Sequence, residues 1–190
     1  MDALLLSVEQ HTNYILRYLL QMGKSTYTTE SFWSSMSDDP CRFEFIETMP
    51  WADHWYEECK AFDGWTPFQG YSAVFPGRFS HFPTKEDFPS ITAYFQGKPN
   101  YIQPELMKLE PGAIIPPHAH IKTSHYHADE YLYNMAINYP EGCKFGFIEG
   151  GMIPYKQGDV YKLYINYDHC VVNDSNEDRY HLVWKDKNAS

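Results

Sequence analysis

The sequence predicts a mainly β fold, a double-stranded β-helix (jelly roll or cupin-like) core with N-terminal helices packed on it. From Glu105 onward, short β-branched and aromatic runs alternate with turn residues at roughly the 8–12-residue spacing of sandwiches and barrels. Aromatic residues make up 17% of the chain, which is typical of aromatic-lined sheets rather than helical bundles. We therefore expect a single domain of 190 residues, with helices and loops over 1–100 and the jelly-roll core over 105–185.

The C-terminal half contains about six to eight predicted strands, each bounded by glycine, proline or acidic turn residues. Turns are expected at Pro111-Gly112, at Gly150-Gly151 and over 174–178. No helical periodicity of useful length interrupts this half of the chain. The predicted strands are 106–109, 113–115, 131–138, 143–148, 152–155, 160–165, 170–173 and 179–184.

The N-terminal half predicts two helices followed by a loop region. Apolar residues recur at spacings of three and four over 2–22, as in an amphipathic helix. A second helix is predicted over 50–62, with Thr48 as its N-cap and Pro50 in its first turn. Glycines and prolines at short intervals over 63–100 indicate a loop with one or two strands.

Composition and charge exclude several classes of partner. The formal net charge is -10, the wrong sign for binding a phosphate backbone, so no nucleic-acid partner is expected. The chain has no run of eighteen apolar residues, and its N-terminus lacks the basic region of a signal peptide, so no membrane partner is expected. Its four cysteines are widely spaced without a CxxC pair, which favours a reducing, cytoplasmic location.

Five of the nine histidines lie where predicted strands begin or end, which is the most informative feature of the sequence. Imidazoles from different strands can converge on a first-row metal at the mouth of a jelly roll. Iron oxygenases of this kind usually use two histidines and one carboxylate. The plainer alternative is a solvated histidine-rich loop that binds metal adventitiously. The five histidines at predicted strand ends are His118, His120, His125, His127 and His169.

The first metal ligand has three candidates. His127-Ala-Asp129 matches a His-x-acid pattern, and His169 follows His127 by 42 residues. His118 instead ends a proline-rich run that is typical of a strand delivering a side chain to a rim, and His120 lies two residues further on. The residues alone do not favour one of these candidates over the others.

Arg179 is a candidate anion-binding residue. It follows His169 by ten residues across the predicted 174–178 turn, so adjacent antiparallel strands could direct both side chains into one pocket. A guanidinium among apolar neighbours needs an anionic partner, and its planar fork matches a carboxylate such as that of 2-oxoglutarate. The alternative is a structural salt bridge. Its candidate partners are Asp174, Glu177 and Asp178.

Several motifs in order along 110–184 resemble the aspartyl/asparaginyl β-hydroxylase branch of the iron(II)- and 2-oxoglutarate-dependent oxygenases. The resemblance implies that His118 and His169 bind iron, that Arg179 binds the distal carboxylate of 2-oxoglutarate, and that His118 is preferred over His127. The motifs that carry it are Pro111-Gly112, Pro117-His118, Gly142-Cys143-Lys144, Gly158, His169 and Arg179.

The sequence departs from this family at the third ligand. Many relatives carry His-x-Asp, whereas here His120 stands in the acidic position. His120 could complete a three-histidine site, a water could take the position, or Asp129 could reach back to it. The resemblance also implies that a polar residue of the following strand, Asn134, contacts the metal-side carboxylate of the cosubstrate.

The resemblance thus implies an Fe(II)/2-oxoglutarate-dependent dioxygenase that uses dioxygen, with ascorbate as a reductant in vitro. Its small-molecule or peptide substrate would be an amino acid, or an amino-acid side chain of a peptide, and the reaction a hydroxylation. The alternative is a cupin-like protein that binds a metal or a small anion, or an isomerase, without 2-oxoglutarate. A third hypothesis is a structural protein whose β-fold has lost its iron.

Overall fold

The computed structural model describes residues 22–67, 78–120 and 131–188. These residues form three helices, α1 (Thr29–Ser35), α2 (Ala52–Ala61) and α3 (Pro89–Gln96). None of these helices is long enough to cross a bilayer. The strands of the described residues are β1 (Met22–Lys24), β2 (Phe43–Thr48), β3 (Thr66–Pro67), β4 (Arg78–His81), β5 (Tyr101–Leu109), β6 (Ile114–His120), β7 (Leu132–Ala136), β8 (Cys143–Phe147), β9 (Gly151–Met152), β10 (Asp159–Leu163), β11 (His169–Asn173) and β12 (Arg179–Asp186).

The strands pair into two antiparallel sheets, with the orders β1-β6-β11-β8-β9 and β2-β10-β7-β12-β5-β4-β3. From β5 to β12, strands that follow one another in the chain mostly alternate between the two sheets. This alternation is that of a double-stranded β-helix, and it confirms the predicted mainly β, jelly-roll fold.

One of the two large apolar clusters lies between the two sheets, and the other lies between the seven-stranded sheet and the helices. Side chains alternate along each strand, so one residue points between the sheets and the next points outward. In β12, Tyr180, Leu182 and Trp184 pack outward beneath the helices, and Arg179 and His181 therefore face the interior. The buried aromatic residues of that interior are Phe145, Phe147, Tyr155 and Tyr161.

The helices cover the outer faces of the sheets, as predicted. Trp55 and Cys59 of α2 and Ile91 of α3 pack with the outward residues of the seven-stranded sheet. Phe32 of α1 is fully buried against Cys170 and its neighbours on the five-stranded sheet. The space between the sheets contains, beside its apolar residues, the buried polar side chains described below.

Two of the N-terminal predictions need correction, and a third is not tested. The predicted helix over 2–22 lies outside the described residues, except that Met22 begins β1. Thr48 does not cap α2, because it ends β2 and its hydroxyl donates a 2.8 Å hydrogen bond to Asp159. The 63–100 region contains helix α3 as well as β3 and β4, because Pro89 starts a helical turn whose Ile91 is buried.

The strands of the C-terminal half agree with the predicted ones in order and approximate position. The strand observed in place of the one predicted over 152–155 is shorter, since β9 ends at Met152. Tyr155 follows it and is buried in the core. The run predicted over 113–115 is longer, since β6 continues through Pro116 and Pro117 to His120. That extension carries two of the candidate metal ligands.

Candidate metal and carboxylate site

A β-bulge brings the histidines of β6 into the interior. His118 pairs with His169 of β11, and Ile115 pairs with Val171, so three steps along β6 match two along β11. Ile115 and Val171 both pack in the core between the sheets. Because side chains alternate, the extra residue at Pro116-Pro117 returns His118 to the same inner face. Prolines suit this bulge, since they have no N–H to give to a ladder.

Three imidazoles meet at this point. The ring centroid of His118 lies 4.2 Å from that of His169, and His120 lies 5.3 Å from each. One potential ligand nitrogen from each ring lies within 4.8 Å of the others. His118 and His169 are each only 3% exposed, whereas His120 is half-buried. In the part of the chain that the structure describes, this cluster contains no carboxylate.

Two of these imidazoles are oriented by backbone carbonyls. Nδ1 of His118 donates to the Pro116 carbonyl and Nδ1 of His169 to the Tyr167 carbonyl, each at 2.8 Å. A carbonyl only accepts, so the proton lies on Nδ1 and the lone pair on Nε2. Burial lowers the pKa of His169 to about 4, which keeps its ring neutral near pH 7. A neutral imidazole whose Nδ1 is fixed by a hydrogen bond presents its Nε2 lone pair in a defined direction, as a metal ligand does.

Arg179 faces the same interior from the opposite sheet. Its Cζ lies 5.8 Å from the ring centroid of Phe145, which in turn lies 5.8 Å from that of His169. The ring of Phe145 thus lies near both the guanidinium of Arg179 and the imidazole of His169. The expectation that His169 and Arg179 occupy adjacent strands is wrong, since β11 and β12 belong to different sheets and the residues face each other across the sandwich.

The charge of Arg179 has no acidic partner among the described residues, although the side chain is only 4% exposed. The salt-bridge alternative is therefore wrong, because none of its candidate partners, Asp174, Glu177 and Asp178, forms an ion pair with Arg179 in the described structure. Asp178 pairs instead with Lys108 at 2.9 Å, and Asp174 lies near Lys144. Nε of Arg179 is buried without a hydrogen-bond partner. Burial lowers the pKa of Arg179. A buried, unpaired guanidinium is unfavourable until an anion joins it.

Asn134 and His181 extend this polar interior. Oδ1 of Asn134 accepts a 2.8 Å hydrogen bond from the Tyr155 hydroxyl and another from Nδ1 of His181. Nη2 of Arg179 lies 3.4 Å from the same Nδ1. We did not predict a role for His181 from the sequence. Its signal was its position two residues after Arg179 in a strand, which places both on one face.

The structure therefore brings together His118, His120, His169, Arg179 and Asn134 in one interior. The other candidates, His125, His127 and Asp129, lie outside the described residues.

No protein-family model matches the chain, and no curated protein matches it at the sequence level. Solved structures do match. A prolyl-4-hydroxylase from Pseudomonas putida aligns with a TM-score of 0.54 and 12% identity, over 77% of this chain and 93% of that one. HygX from Streptomyces hygroscopicus, with nickel and 2-oxoglutarate bound, aligns with a TM-score of 0.54 and 11% identity, over 80% of this chain and 85% of that one.

A viral collagen prolyl hydroxylase from Paramecium bursaria Chlorella virus-1, in complex with 2-oxoglutarate, aligns with a TM-score of 0.52 and 12% identity, over 76% of this chain and 94% of that one. The chain shares the fold of these oxygenases. At such low identity the likeness concerns the fold, and it gives no support to the aspartyl/asparaginyl branch in particular.

Proposed function

We propose that the protein is an Fe(II)/2-oxoglutarate-dependent dioxygenase that hydroxylates its substrate. The observation that carries the proposal is the buried guanidinium of Arg179, which has no acidic partner among the described residues and lies in the same interior as three converged imidazoles. The imidazoles fit a divalent first-row metal, and the guanidinium fits the far carboxylate of a metal-bound dicarboxylate. The shared fold supports this combination.

Each residue of the site has a proposed role. His118 and His169 would hold the metal through Nε2, since Nδ1 of each donates to a backbone carbonyl. His120 would supply the third nitrogen. Arg179 would bind the distal carboxylate of 2-oxoglutarate with two parallel N–H donors. Because Oδ1 of Asn134 already accepts two hydrogen bonds, its contact with the metal-side carboxylate would come from its amide nitrogen.

When bound, iron(II) and 2-oxoglutarate supply the oxidative decarboxylation of the cosubstrate by dioxygen, which yields succinate and carbon dioxide and oxygenates a C–H bond of the substrate. The chain contributes position and shielding. The aromatic rings between the sheets limit water around the site. They include Phe145, Phe147 and Tyr155.

The proposed substrate is an amino acid, free or as a side chain of a peptide. This choice rests on the resemblance of 110–184 to the aspartyl/asparaginyl branch. The masses of candidate substrates incubated with the protein, iron(II), ascorbate and 2-oxoglutarate test it, since a hydroxylated product gains one oxygen atom. A gain confined to other compounds would remove the amino-acid assignment and leave the oxygenase assignment standing.

The second candidate is a cupin-like metal protein that does not use 2-oxoglutarate. The cluster of three histidines, which contains no carboxylate from the described part of the chain, favours this candidate. A protein of this kind gives no reason, however, for a buried cation at Arg179 that has no acidic partner among the described residues. We therefore prefer the oxygenase.

Anaerobic reconstitution separates the two candidates. The oxygenase proposal predicts a weak visible charge-transfer band only when iron(II) and 2-oxoglutarate are both present, and succinate formation once oxygen is admitted. Arg179→Met should lose the band at the same 2-oxoglutarate concentration, and His54→Ala, at an exposed histidine outside the site, should keep it. Iron binding without any 2-oxoglutarate binding or succinate would favour the second candidate.

A further inference from the structure

His181 is a buried titratable residue beside Arg179 that has no role in the function proposed above. It is 3% exposed and shares the inner face of β12 with Arg179. Its Nδ1 donates to Oδ1 of Asn134, which also accepts from the Tyr155 hydroxyl. These contacts fix the orientation of the ring in the interior.

The opposite nitrogen of this ring has no hydrogen-bond partner among the described residues. Nε2 of His181 and Nε of Arg179 are both buried without a hydrogen bond in the described structure. They belong to neighbouring inward positions of one strand. A ligand with two acceptor oxygens, which is what a carboxylate offers, could satisfy both side chains together.

The protonation of His181 decides whether it can donate to such a ligand. Two groups contact Nδ1, and the contact with the accepting Oδ1 of Asn134 is much shorter than the 3.4 Å contact with the donating Nη2 of Arg179, which assigns the proton to Nδ1. Nε2 of the neutral ring therefore carries a lone pair and cannot donate. Burial, and then the charge of Arg179, lower the pKa of His181 well below its ordinary value, so the ring is neutral without a ligand. A carboxylate placed next to it would favour the charged form.

The other titratable groups around His181 do not compete with it near neutral pH. The ring of Tyr155, which follows β9, lies 5.1 Å away, and that of Tyr139, which follows β7, lies 6.0 Å away. Burial raises the pKa of Tyr139 to about 12 and that of Tyr155 well above its ordinary value. Arg179 remains charged, and Asn134 does not titrate. His181 is thus the group that changes charge here.

We propose that His181 is a second carboxylate-binding residue of the 2-oxoglutarate site, which takes up one proton from solvent when 2-oxoglutarate binds and returns it on release. The carboxylate is then held between a guanidinium and an imidazolium. This inference rests on the proposed function, and it adds a coupling between cosubstrate binding and pH.

Isothermal titration of 2-oxoglutarate into the manganese(II)-loaded protein, under anaerobic conditions, tests the coupling. Two buffers of different ionisation enthalpy at one pH give the number of protons taken up. We expect a value approaching one near pH 6.5, and an affinity that falls by up to about tenfold per pH unit between pH 6 and 8.

Two variants isolate His181. His181→Gln should abolish the proton uptake and flatten the pH dependence, with binding at pH 6 weakened toward the wild-type value at pH 8. His181→Leu fills the same buried position with an apolar side chain that cannot take up a proton, so the uptake should also disappear. This second variant keeps the test decisive if the glutamine variant fails to fold. Tyr139→Phe should retain the uptake.

The outcomes separate the inference from the function on which it rests. Arg179-dependent binding of 2-oxoglutarate without proton uptake, or uptake that persists in His181→Gln, overturns the inference and leaves the oxygenase assignment standing. Failure of the wild-type protein to bind 2-oxoglutarate overturns both.

Discussion

His118 and His169 are cross-strand partners in β6 and β11, with their ring centroids 4.2 Å apart. They share the inner face because β6 contains one residue more than β11 between paired positions, at Pro116-Pro117. Each ring donates its Nδ1 proton to the carbonyl two residues before it. The bulge and these two hydrogen bonds together orient the Nε2 lone pairs of both rings so that they can bind one metal ion.

Replacement of His118 or His169 by alanine should abolish stoichiometric metal binding. The loss should exceed the roughly 10–100-fold reduction that follows removal of a residue behind a metal ligand. Elemental analysis after loading with manganese(II) and dialysis measures it, with His54→Ala as the control at an exposed histidine. A variant of either site residue that keeps one metal per chain would contradict the assignment.

Substitutions of His120 test the identity of the third ligand. His120→Asp should retain metal binding, because a carboxylate is the usual companion of two histidines in such sites. His120→Ala should bind more weakly than either the wild type or the aspartate variant. Competition with a metal-sensitive dye gives the three affinities. Equal affinities for His120→Ala and the wild type would show that the His120 ring does not coordinate the metal.

Arg179→Met should stabilise the ligand-free protein and weaken 2-oxoglutarate binding. The substitution removes a buried charge without an acidic partner among the described residues, a change of about 1–3 kcal/mol in the free energy of unfolding. Loss of two charge-assisted hydrogen bonds should weaken 2-oxoglutarate binding by about a hundredfold or more. Urea unfolding and titration calorimetry measure the two effects. A destabilised variant with unchanged cosubstrate affinity would indicate a purely structural arginine.

The metal-free protein should lose stability as the pH falls from about 6.5 to about 4. Burial lowers the folded-state pKa of His169 to about 4 from its ordinary value of 6.5, so the unfolded chain takes up this proton first. The loss from this residue amounts to about 3 kcal/mol at most, and none is expected above pH 6.5. Urea unfolding at several pH values should show a shallower slope for His169→Phe. An unchanged slope would mean that the ring is already protonated in the folded state.

The sequence allowed the core strands to be predicted because each one is a β-branched or aromatic run closed by a turn. Pro111-Gly112 before β6 is an example, and Gly112 takes the positive φ of 76° that such a turn requires. Helix α3 was not predicted, since the N-cap residue Phe88 offers no capping side chain and the helix is stabilised by burial of Ile91. Apart from Pro89 in the first turn, the signal for this helix is tertiary rather than local.

The site was predictable only in part. Alternation along β6 from Ile115 would place His118 on the outer face, and only the pairing with β11 reveals the bulge that reverses it. The position of Arg179 across the sandwich likewise depends on sheet topology, which the ten-residue spacing from His169 does not determine. The choice of His120 as third ligand remains a prediction for the same reason, because it depends on distances that no local pattern contains.

A crystal structure of the protein soaked anaerobically with manganese(II) and 2-oxoglutarate tests the central claim most directly. The account predicts one manganese ion on Nε2 of His118 and of His169, with 2-oxoglutarate on that ion and its distal carboxylate hydrogen-bonded to Arg179. Manganese bound elsewhere, or a guanidinium of Arg179 that contacts no carboxylate while 2-oxoglutarate is present, would contradict it.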